Sequence, residues 1–245
     1  MSASAPSWRC GACEDTGWYV LRVPVGDPRF GQLQRCDCGQ ADAGVRAARH
    51  ARAKRQLGDE LAEKADCTFA TFDLERPLAP VTWRGETVDV AAQRHLLRQA
   101  HAVCAAYAAD WRGWVYLHGT CGAGKSHLAA ALAHVALEAG RTVLYRSVPG
   151  LMDAVRAASG EDLLRTVLAT EVLVVDDLGA AQLSGWMEEK IFRLFNERLG
   201  RPLIITANLA PEDLPARLRS RLARAKTRVV WMPLADYTTL EGGGW

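Results

Sequence analysis

Apolar and polar residues follow two periods along most of the chain, one typical of strands and one typical of helices. Five short apolar runs have strand length: WVYLH (114–118), TVLYR (142–146), VLVVD (172–176), PLIIT (202–206) and TRVVWM (227–232). Helical spacing covers 89–110, 125–139, two short segments near 150–158 and 161–169, the stretch after Ser184 up to Gly200, and Pro211 to about Leu222. This alternation predicts an α/β domain with a parallel five-stranded sheet flanked by helices.

The amino-terminal part departs from this pattern. Residues 1–40 are rich in Cys, Gly and Trp, and residues 41–66 are rich in Ala and Arg without a proline, which favours an exposed helix. Residues 69–80 are irregular and contain prolines. The sequence therefore predicts a small module over 1–40, a helical basic linker over 41–66 and the α/β domain over 67–245.

Composition narrows the function classes only slightly. The 245 residues carry a net charge of +2, so overall charge does not argue for nucleic acid. Two basic runs without acidic residues, 46–55 and 217–228, could contact phosphate or form solvated helix faces. No stretch approaches the roughly 20 apolar residues of a membrane span, and the first eight residues lack a signal-peptide pattern. We expect a soluble, cytoplasmic protein without a membrane partner.

A phosphate-binding pattern, G-x-x-x-x-G-K-S, lies between a predicted strand and a predicted helix. Glycines let the backbone curl so that several amide N–H groups point at one anion, and the following helix adds its N-terminal dipole. Lys125 is expected to reach the β- and γ-phosphates, and the Ser126 hydroxyl to ligate magnesium. The predicted nucleotide-binding residues are Gly119, Thr120, Cys121, Gly122, Ala123, Gly124, Lys125, Ser126 and His127.

Polar residues at the ends of later segments suggest the rest of an ATP-hydrolysing site. Asp176 and Asp177 end a buried strand, and we assign Asp176 to magnesium and Asp177 to orienting the attacking water. Asn208 ends another apolar strand and could hold that water. Arg217 and Arg221 share one helix face, where an arginine could stabilise the transition state in a neighbouring subunit.

Taken together, these motifs resemble the AAA+ ATPases, and specifically the DnaC/IstB-like family of helicase loaders and their relatives. The matching segments are CTFATFDL (67–74), GTCGAGKSH (119–127), LVVDDLG (173–179), NERLGRPLIITANL (196–209) and RLRSRL (217–222). The resemblance implies a P-loop NTPase of the AAA+ type and covers roughly residues 67–235. Only 24 residues follow Arg221, so we expect no full C-terminal lid and slow turnover by the isolated protein.

The resemblance also assigns roles to individual residues. It implies a Walker A motif at 119–126, a Walker B pair at Asp176 and Asp177, and a sensor at Asn208. Arg221 is similar to the family's arginine finger, with Arg217 as its companion. The family inserts a helical excursion that contacts single-stranded DNA, here over 147–170. The candidate DNA contacts are Arg146, Arg156 and Arg165.

Four of the seven cysteines lie within the first 38 residues. Cys10-x-x-Cys13 and Cys36-x-Cys38 could form a tetrahedral thiolate zinc site, because cytoplasmic thiols stay reduced. The alternatives are a chance cluster of reduced cysteines without a metal and a labile iron–sulfur cluster. The segments CGACEDTGWYV (10–20) and CDCG (36–39) resemble zinc-binding amino-terminal modules of some bacterial and phage loaders, where the module binds the replicative helicase.

The predicted function is that of a helicase loader, in which ATP hydrolysis acts as a switch. Its expected cofactors are ATP, magnesium and zinc, and its expected partners are a replicative ring helicase, single-stranded DNA and other copies of itself. The alternative is an IstB-like transposition ATPase that assembles on target DNA and directs a transposase. A small-molecule kinase on the same loop would need an acceptor pocket and a lid, which the sequence does not suggest.

Overall fold

The computed structural model describes residues 9–21, 23–24, 27–44, 48, 51, 60–157, 167–179, 183 and 185–240. The chain divides into two compact units, Met1–Ala51 and Arg52–Trp245. Among the described residues, no helix is both long enough and apolar enough to cross a membrane.

The amino-terminal unit contains an antiparallel hairpin of β1 (Trp18–Val20) and β2 (Leu33–Arg35). A helical segment follows at 40–44, and residues 48 and 51 are also helical. Of the predicted linker helix over 41–66, residues 45–47, 49–50 and 52–59 lie outside the described part of the chain. Its carboxyl-terminal end is a short 3-10 helix, Ala62–Lys64, rather than an α-helix.

A parallel five-stranded sheet forms the centre of the second unit, as predicted. Its strands are β5 (Trp114–Gly119), β6 (Val143–Ser147), β7 (Val172–Leu178), β8 (Leu203–Ala207) and β9 (Arg228–Met232). They are arranged in the order β6-β7-β8-β5-β9, and every neighbouring pair is parallel. The carboxyl ends of β5, β7 and β8 therefore meet at one edge of the sheet, where the predicted polar residues lie.

Helices cover both faces of this sheet. They are α1 (Val90–Asp110), α2 (Lys125–Glu138), α3 (Val148–Ala157), α4 (Gly185–Arg198), α5 (Ala216–Arg224) and α6 (Tyr237–Leu240). Side chains alternate along β5, so that Val115 and Leu117 join a core with α1 and α2. Trp114 and Tyr116 point to the opposite core, which α3, α4 and α5 complete. Of the predicted second short helix near 161–169, only 167–169 are described, and they are helical.

Two elements differ from the sequence prediction. The helix predicted from Pro211 to about Leu222 is wrong as a single element, because it is a 3-10 turn at Pro211–Asp213 followed by the separate helix α5. Pro215 precedes α5 and lacks an N–H, and it disfavours helical backbone at Leu214, whose ψ is 146°.

A hairpin of β3 (Val81–Trp83) and β4 (Glu86–Val88) was also not predicted. Its two-residue turn places Arg84 at φ 53° and Gly85 at φ 85°. Positive φ at both central positions is typical of the tight turns that match strand twist. The Arg-Gly pair is a weak form of the usual Asn-Gly signal, so the local pattern did not reveal the hairpin.

Candidate nucleotide site

The glycine-rich loop joins the end of β5 to the start of α2, as the motif requires. Gly122 has a φ of 64° and Gly124 a φ of 92°. Residues other than glycine rarely adopt this backbone conformation. A Cβ atom on Gly122 would lie 1.9 Å from Oδ1 of Asp236, so the loop also has no room for one. Gly124 is the N-cap of α2, which places the positive end of the helix dipole at the loop.

Lys125 lies inside this loop. Its Nζ donates to the carbonyl oxygens of Gly119 at 3.1 Å and Thr120 at 2.5 Å, and the residue is only 8% exposed. Burial lowers the pKa of Lys125 below its ordinary value, while Asp176 and Asp177 act in the opposite direction. The ammonium group is thus bound to weak backbone acceptors that an anionic phosphate can replace.

Asp176 is the most heavily hydrogen-bonded carboxylate of the site. Its Oδ1 accepts from Ser126 Oγ at 2.8 Å and Thr206 Oγ1 at 2.5 Å, and its Oδ2 accepts from Tyr145 Oη at 2.6 Å. Burial and the charge of Asp176 raise the pKa of Tyr145, so its hydroxyl remains a donor. Three separate elements, α2, β6 and β8, therefore orient one carboxylate.

The pair of Ser126 and Asp176 fits a divalent cation. Two adjacent ligands of an octahedral Mg²⁺, each about 2.1 Å from the ion, lie about 3 Å apart. The 2.8 Å between Ser126 Oγ and Asp176 Oδ1 matches that edge. The oxygen-only donor set is also the one that magnesium prefers.

β7 is irregular at Asp177. The register with β8 shifts between Val175 and Leu178, and Asp177 has a φ of 59°. Such bulges are frequent beside active sites, where they redirect a side chain. Asp177 is exposed, and Asn208 Nδ2 lies 3.5 Å from its Oδ1. The two residues predicted to hold water therefore face each other at the sheet edge.

Segments distant in sequence surround the loop. Arg76 is buried and donates to the carbonyl oxygen of Ala123 at 3.0 Å. The hydroxyl of Thr120 accepts from the backbone N–H of Leu234 at 3.0 Å. His127 Nε2 lies 2.8 Å from the Thr68 carbonyl oxygen, and burial lowers its pKa. The sequence motif revealed Thr120 and His127 but not Arg76.

The arginine pair lies on α5 and contacts α4. Arg217 Nε donates to Glu188 Oε1 at 2.7 Å, and Arg221 Nε donates to Asn196 Oδ1. Both guanidinium carbons lie 5.0 Å from the ring centre of Phe192. The predicted shared face of Arg217 and Arg221 is confirmed by these common contacts. Their partners on α4 were not predicted.

The three candidate DNA contacts differ in their surroundings. Arg146 has a side chain that is 13% exposed, and its Nε lies 3.2 Å from Glu60 Oε1 in an ion pair. Its Nη2 donates to the Gly150 carbonyl oxygen at 2.9 Å. Arg156 lies in α3, but its side chain is outside the described part of the chain, as is the whole of Arg165.

The amino-terminal unit gathers four sulfur atoms. The Sγ atoms of Cys10, Cys13, Cys36 and Cys38 all lie within 4.8 Å of one another. Two of the separations are 3.6 Å, between Cys10 and Cys36, and 3.4 Å, between Cys13 and Cys38. A tetrahedral zinc ion with Zn–S bonds of about 2.3 Å requires about 3.8 Å between sulfurs, so the cluster fits zinc.

The thiols of this cluster differ in acidity. Backbone N–H groups of Cys13 and Ala12 lower the pKa of Cys10 to about 7. The Cys38 N–H lowers the pKa of Cys36, but burial and the neighbouring thiols together raise it to about 12. Four adjacent thiolates repel one another, and a bound cation removes that penalty.

Sequences similar to this chain include replication initiator proteins and ATP-binding proteins of insertion sequences. The chromosomal replication initiator protein DnaA of Synechococcus sp. is 33% identical over 137 residues, which cover 51% of this chain and 29% of that protein. A candidate insertion sequence ATP-binding protein of Sinorhizobium fredii, y4pL, is 35% identical over 107 residues, covering 39% of this chain and 44% of y4pL. YdaV of Escherichia coli is 27% identical over 160 residues, which cover 62% of this chain and 59% of YdaV. The chain thus spans less than two thirds of the length of each relative.

One solved structure shares the fold, and a second is similar over part of the chain. Domain III of the Thermotoga maritima replication initiation protein DnaA superposes with a TM-score of 0.51 at 19% identity, covering 73% of this chain and 76% of that one. A DnaC helicase loader gives a TM-score of 0.48 at 21% identity, and the match covers 56% of this chain and 90% of the loader chain.

The chain also matches a protein family. The family described as IstB-like ATP binding protein matches residues 89–222, more than half of the chain. This range begins one residue before α1 and ends within α5, so it contains the phosphate loop, both aspartates, Asn208 and the arginine pair. The chain belongs to the family of IstB-like ATP-binding proteins.

Proposed function

We propose that this protein is an ATP-hydrolysing switch that delivers a replicative ring helicase to single-stranded DNA. The observation that carries the proposal is a nucleotide site of the IstB-like type in a chain that also contains a separate four-cysteine unit. The nucleotide site supplies the switch, and the cysteine unit is the candidate handle for the helicase.

In this proposal, Lys125 and the loop amides bind the triphosphate. The Lys125 ammonium exchanges its two carbonyl acceptors for the β- and γ-phosphates, a gain because a charged acceptor forms the stronger hydrogen bond. Ser126 and Asp176 hold magnesium, which neutralises charge that develops on the phosphate oxygens. Asp177 and Asn208 orient the attacking water from the edge of the sheet.

Completion of the site requires a second copy of the chain. All the described contacts of Arg217 and Arg221 are with α4 rather than with the phosphate loop. Arg221 is therefore the candidate that stabilises transition-state charge on a neighbouring subunit's γ-phosphate. Hydrolysis would then depend on self-association, as suits a switch.

The four cysteines bind one zinc in this proposal, and the zinc organises the amino-terminal module. A unit of this size with few core residues depends on metal for its fold. Single-stranded DNA is held by basic residues of the segment 147–170, with Arg156 and Arg165 as candidates. Arg146 remains a weaker candidate, because its ion pair with Glu60 would have to open first.

A pull-down with the host's replicative helicase tests the proposed function. The helicase is expected to be retained by the full chain with ATP and single-stranded DNA, and less so without ATP. Lys125→Ala should abolish nucleotide binding and the ATP-dependent part of retention. The double variant Cys10→Ser, Cys13→Ser should lose retention but keep nucleotide binding. Retention that is indifferent to all of these changes would contradict the proposal.

The second candidate is an IstB-like ATPase that assembles on duplex target DNA and directs a transposase. The family description and the likeness to y4pL favour it. A direct comparison separates the two candidates: ATP-dependent assembly on duplex DNA without retention of the helicase supports transposition. ATP consumption that requires a small-molecule acceptor and no DNA would instead favour a kinase.

A further inference from the structure

Three side chains of α4 face the arginine pair of α5. Glu188, Phe192 and Asn196 are spaced by four residues, as are Arg217 and Arg221. Residues spaced by four lie on one helix face, so two matching rows meet where α4 packs beside α5. Glu188 accepts from Arg217, and Asn196 accepts from Arg221.

Phe192 is the member that contacts both arginines. Its ring centre lies 5.0 Å from the guanidinium carbon of Arg217 and 5.0 Å from that of Arg221. The ring is partly buried and packs against the core beneath the two helices. A guanidinium over an aromatic face within about 6 Å is attracted by the ring quadrupole. One fixed ring therefore restricts two flexible side chains at once.

The hydrogen-bond partners of the two arginines differ in charge. Glu188 is acidic and neutralises Arg217, whose side chain is 42% exposed. Asn196 is neutral, so it fixes the direction of Arg221 and leaves its positive charge available. A triphosphate therefore gains more from Arg221 than from Arg217.

We propose that Glu188, Phe192 and Asn196 are positioning residues that hold the arginine pair in the orientation that a neighbouring subunit's triphosphate requires. This inference rests on the proposed function, in which Arg221 completes that subunit's site. Arginine loses considerable rotamer freedom when it is immobilised at an interface. Restricting the side chain before association reduces that loss and favours the productive geometry.

A matched pair of substitutions at position 192 tests the role of the ring. Phe192→Leu keeps an apolar side chain against the core but removes the aromatic face, whereas Phe192→Tyr keeps the face. For Phe192→Leu we expect ATP hydrolysis in the self-associated state to fall about three- to tenfold, with unchanged ATP affinity and thermal midpoint. Phe192→Tyr should retain hydrolysis. Equal losses in both variants, or a loss of ATP affinity, would overturn the inference.

Mixing experiments separate positioning from damage to the variant's own site. Phe192→Leu subunits keep their own phosphate loop, so they should regain hydrolysis when mixed with Asp177→Asn subunits, which supply correctly held arginines but cannot hydrolyse ATP. A mixture of Phe192→Leu with Arg221→Ala should not exceed the reduced hydrolysis of Phe192→Leu alone, because neither subunit supplies a correctly held arginine. The reference mixture is Arg221→Ala with Asp177→Asn.

The reference mixture distinguishes a failure of the positioning role of Phe192 from a failure of the role of Arg221 in a neighbouring site. If Arg221→Ala is rescued and Phe192→Leu is not, the positioning role is wrong and the arginine's role stands. If neither is rescued, completion of the site by a second subunit is wrong, and the positioning role fails with it. Rescue of both supports the inference.

Discussion

At the scale of single residues, the site depends on how Asp176 is held. A carboxylate that ligates a metal must present one oxygen in a defined direction, and its hydrogen-bond partners provide that direction. Tyr145 binds Oδ2 and Thr206 binds Oδ1, while Thr206 also accepts from the backbone N–H of Asp177 at 2.8 Å. Thr206 thus links the two aspartates, and Tyr145 orients the first of them.

Tyr145→Phe should weaken the binding of magnesium without unfolding the protein. The substitution removes only the hydroxyl that donates to Asp176 at 2.6 Å. We expect the magnesium concentration for half-maximal ATP hydrolysis to rise about tenfold, as is typical when an outer partner of a metal ligand is lost. A magnesium titration of hydrolysis measures the change.

Tyr107→Phe is the matched control for this substitution. Tyr107 is also a buried residue, but its hydroxyl donates to the Gly113 carbonyl oxygen at the opposite end of β5. The same shift in magnesium dependence for both variants would show a general effect of hydroxyl removal. No shift in Tyr145→Phe would contradict the role of Tyr145.

At the scale of elements, α4 is anchored at its carboxyl end by a buried arginine. Arg198 is fully buried and donates to the carbonyl oxygens of Thr170 at 2.6 Å and Glu171 at 2.9 Å, and to that of Pro202. Burial lowers its pKa to about 10, so the side chain stays charged near neutral pH. These bonds connect the end of α4 to the segments entering β7 and β8, the two strands that carry Asp176 and Asn208.

Arg198→Met should destabilise the second unit. Methionine fills much of the volume but leaves buried carbonyl oxygens without donors, a loss of about 2–4 kcal/mol in the free energy of unfolding. Denaturant unfolding measures this loss. Arg193→Met, at an exposed position of the same helix, should change stability by less than about 0.5 kcal/mol. Comparable losses in the two variants would contradict the anchoring role.

At the scale of the whole molecule, we expect the free energy of unfolding to depend on pH through a buried histidine of the central sheet. His118 is the second-last residue of β5 and is 6% exposed. Within the described structure, its Nδ1 has no hydrogen-bond partner. Burial lowers its pKa to about 4, against the opposing effect of Glu212. The folded protein therefore holds His118 neutral at pH values where an unfolded chain protonates it.

The direction of the pH effect follows from this difference. The unfolded state binds the extra proton below its ordinary pKa of about 6.5, so stability is lost as pH falls from about 6.5 to about 4. The loss from His118 is about 2–3 kcal/mol. Between about pH 6.5 and about pH 4, the free energy of unfolding of His118→Gln should fall by about 2–3 kcal/mol less than that of the wild type. His95→Gln, at an exposed site, should keep the wild-type slope. Identical slopes for all three proteins would show that His118 does not contribute.

The amino-terminal unit gives a second prediction at this scale. The purified protein should contain one zinc per chain, because four sulfurs lie within 4.8 Å of one another. Cys10→Ser with Cys13→Ser should lose the metal, and Cys121→Ser, in the phosphate loop, should keep it. Metal analysis by mass spectrometry measures the ratio. Less than half an equivalent in carefully purified protein would contradict the zinc site.

The sequence predicted much of the central domain because its signals are local. Five apolar runs indicated the five strands of the sheet, and all five are present. The break at Pro215 was not predicted because helical spacing continues across the proline. The β3–β4 hairpin was not predicted because an Arg-Gly turn is a weak signal. Helix and strand patterns, however, carry no information about which strands are neighbours.

By itself, the sequence determined the phosphate loop, since its glycines, Lys125 and Ser126 all lie within the segment 119–126, so that no contact between distant segments is needed to bring them together. Only the tertiary structure decided which distant side chains support that loop. Tyr145 and Thr206 reach Asp176 because β6 and β8 flank β7 in the sheet. Phe192 meets both arginines because α4 and α5 pack side by side. Such contacts depend on strand order, register and helix packing, which local periodicity does not encode.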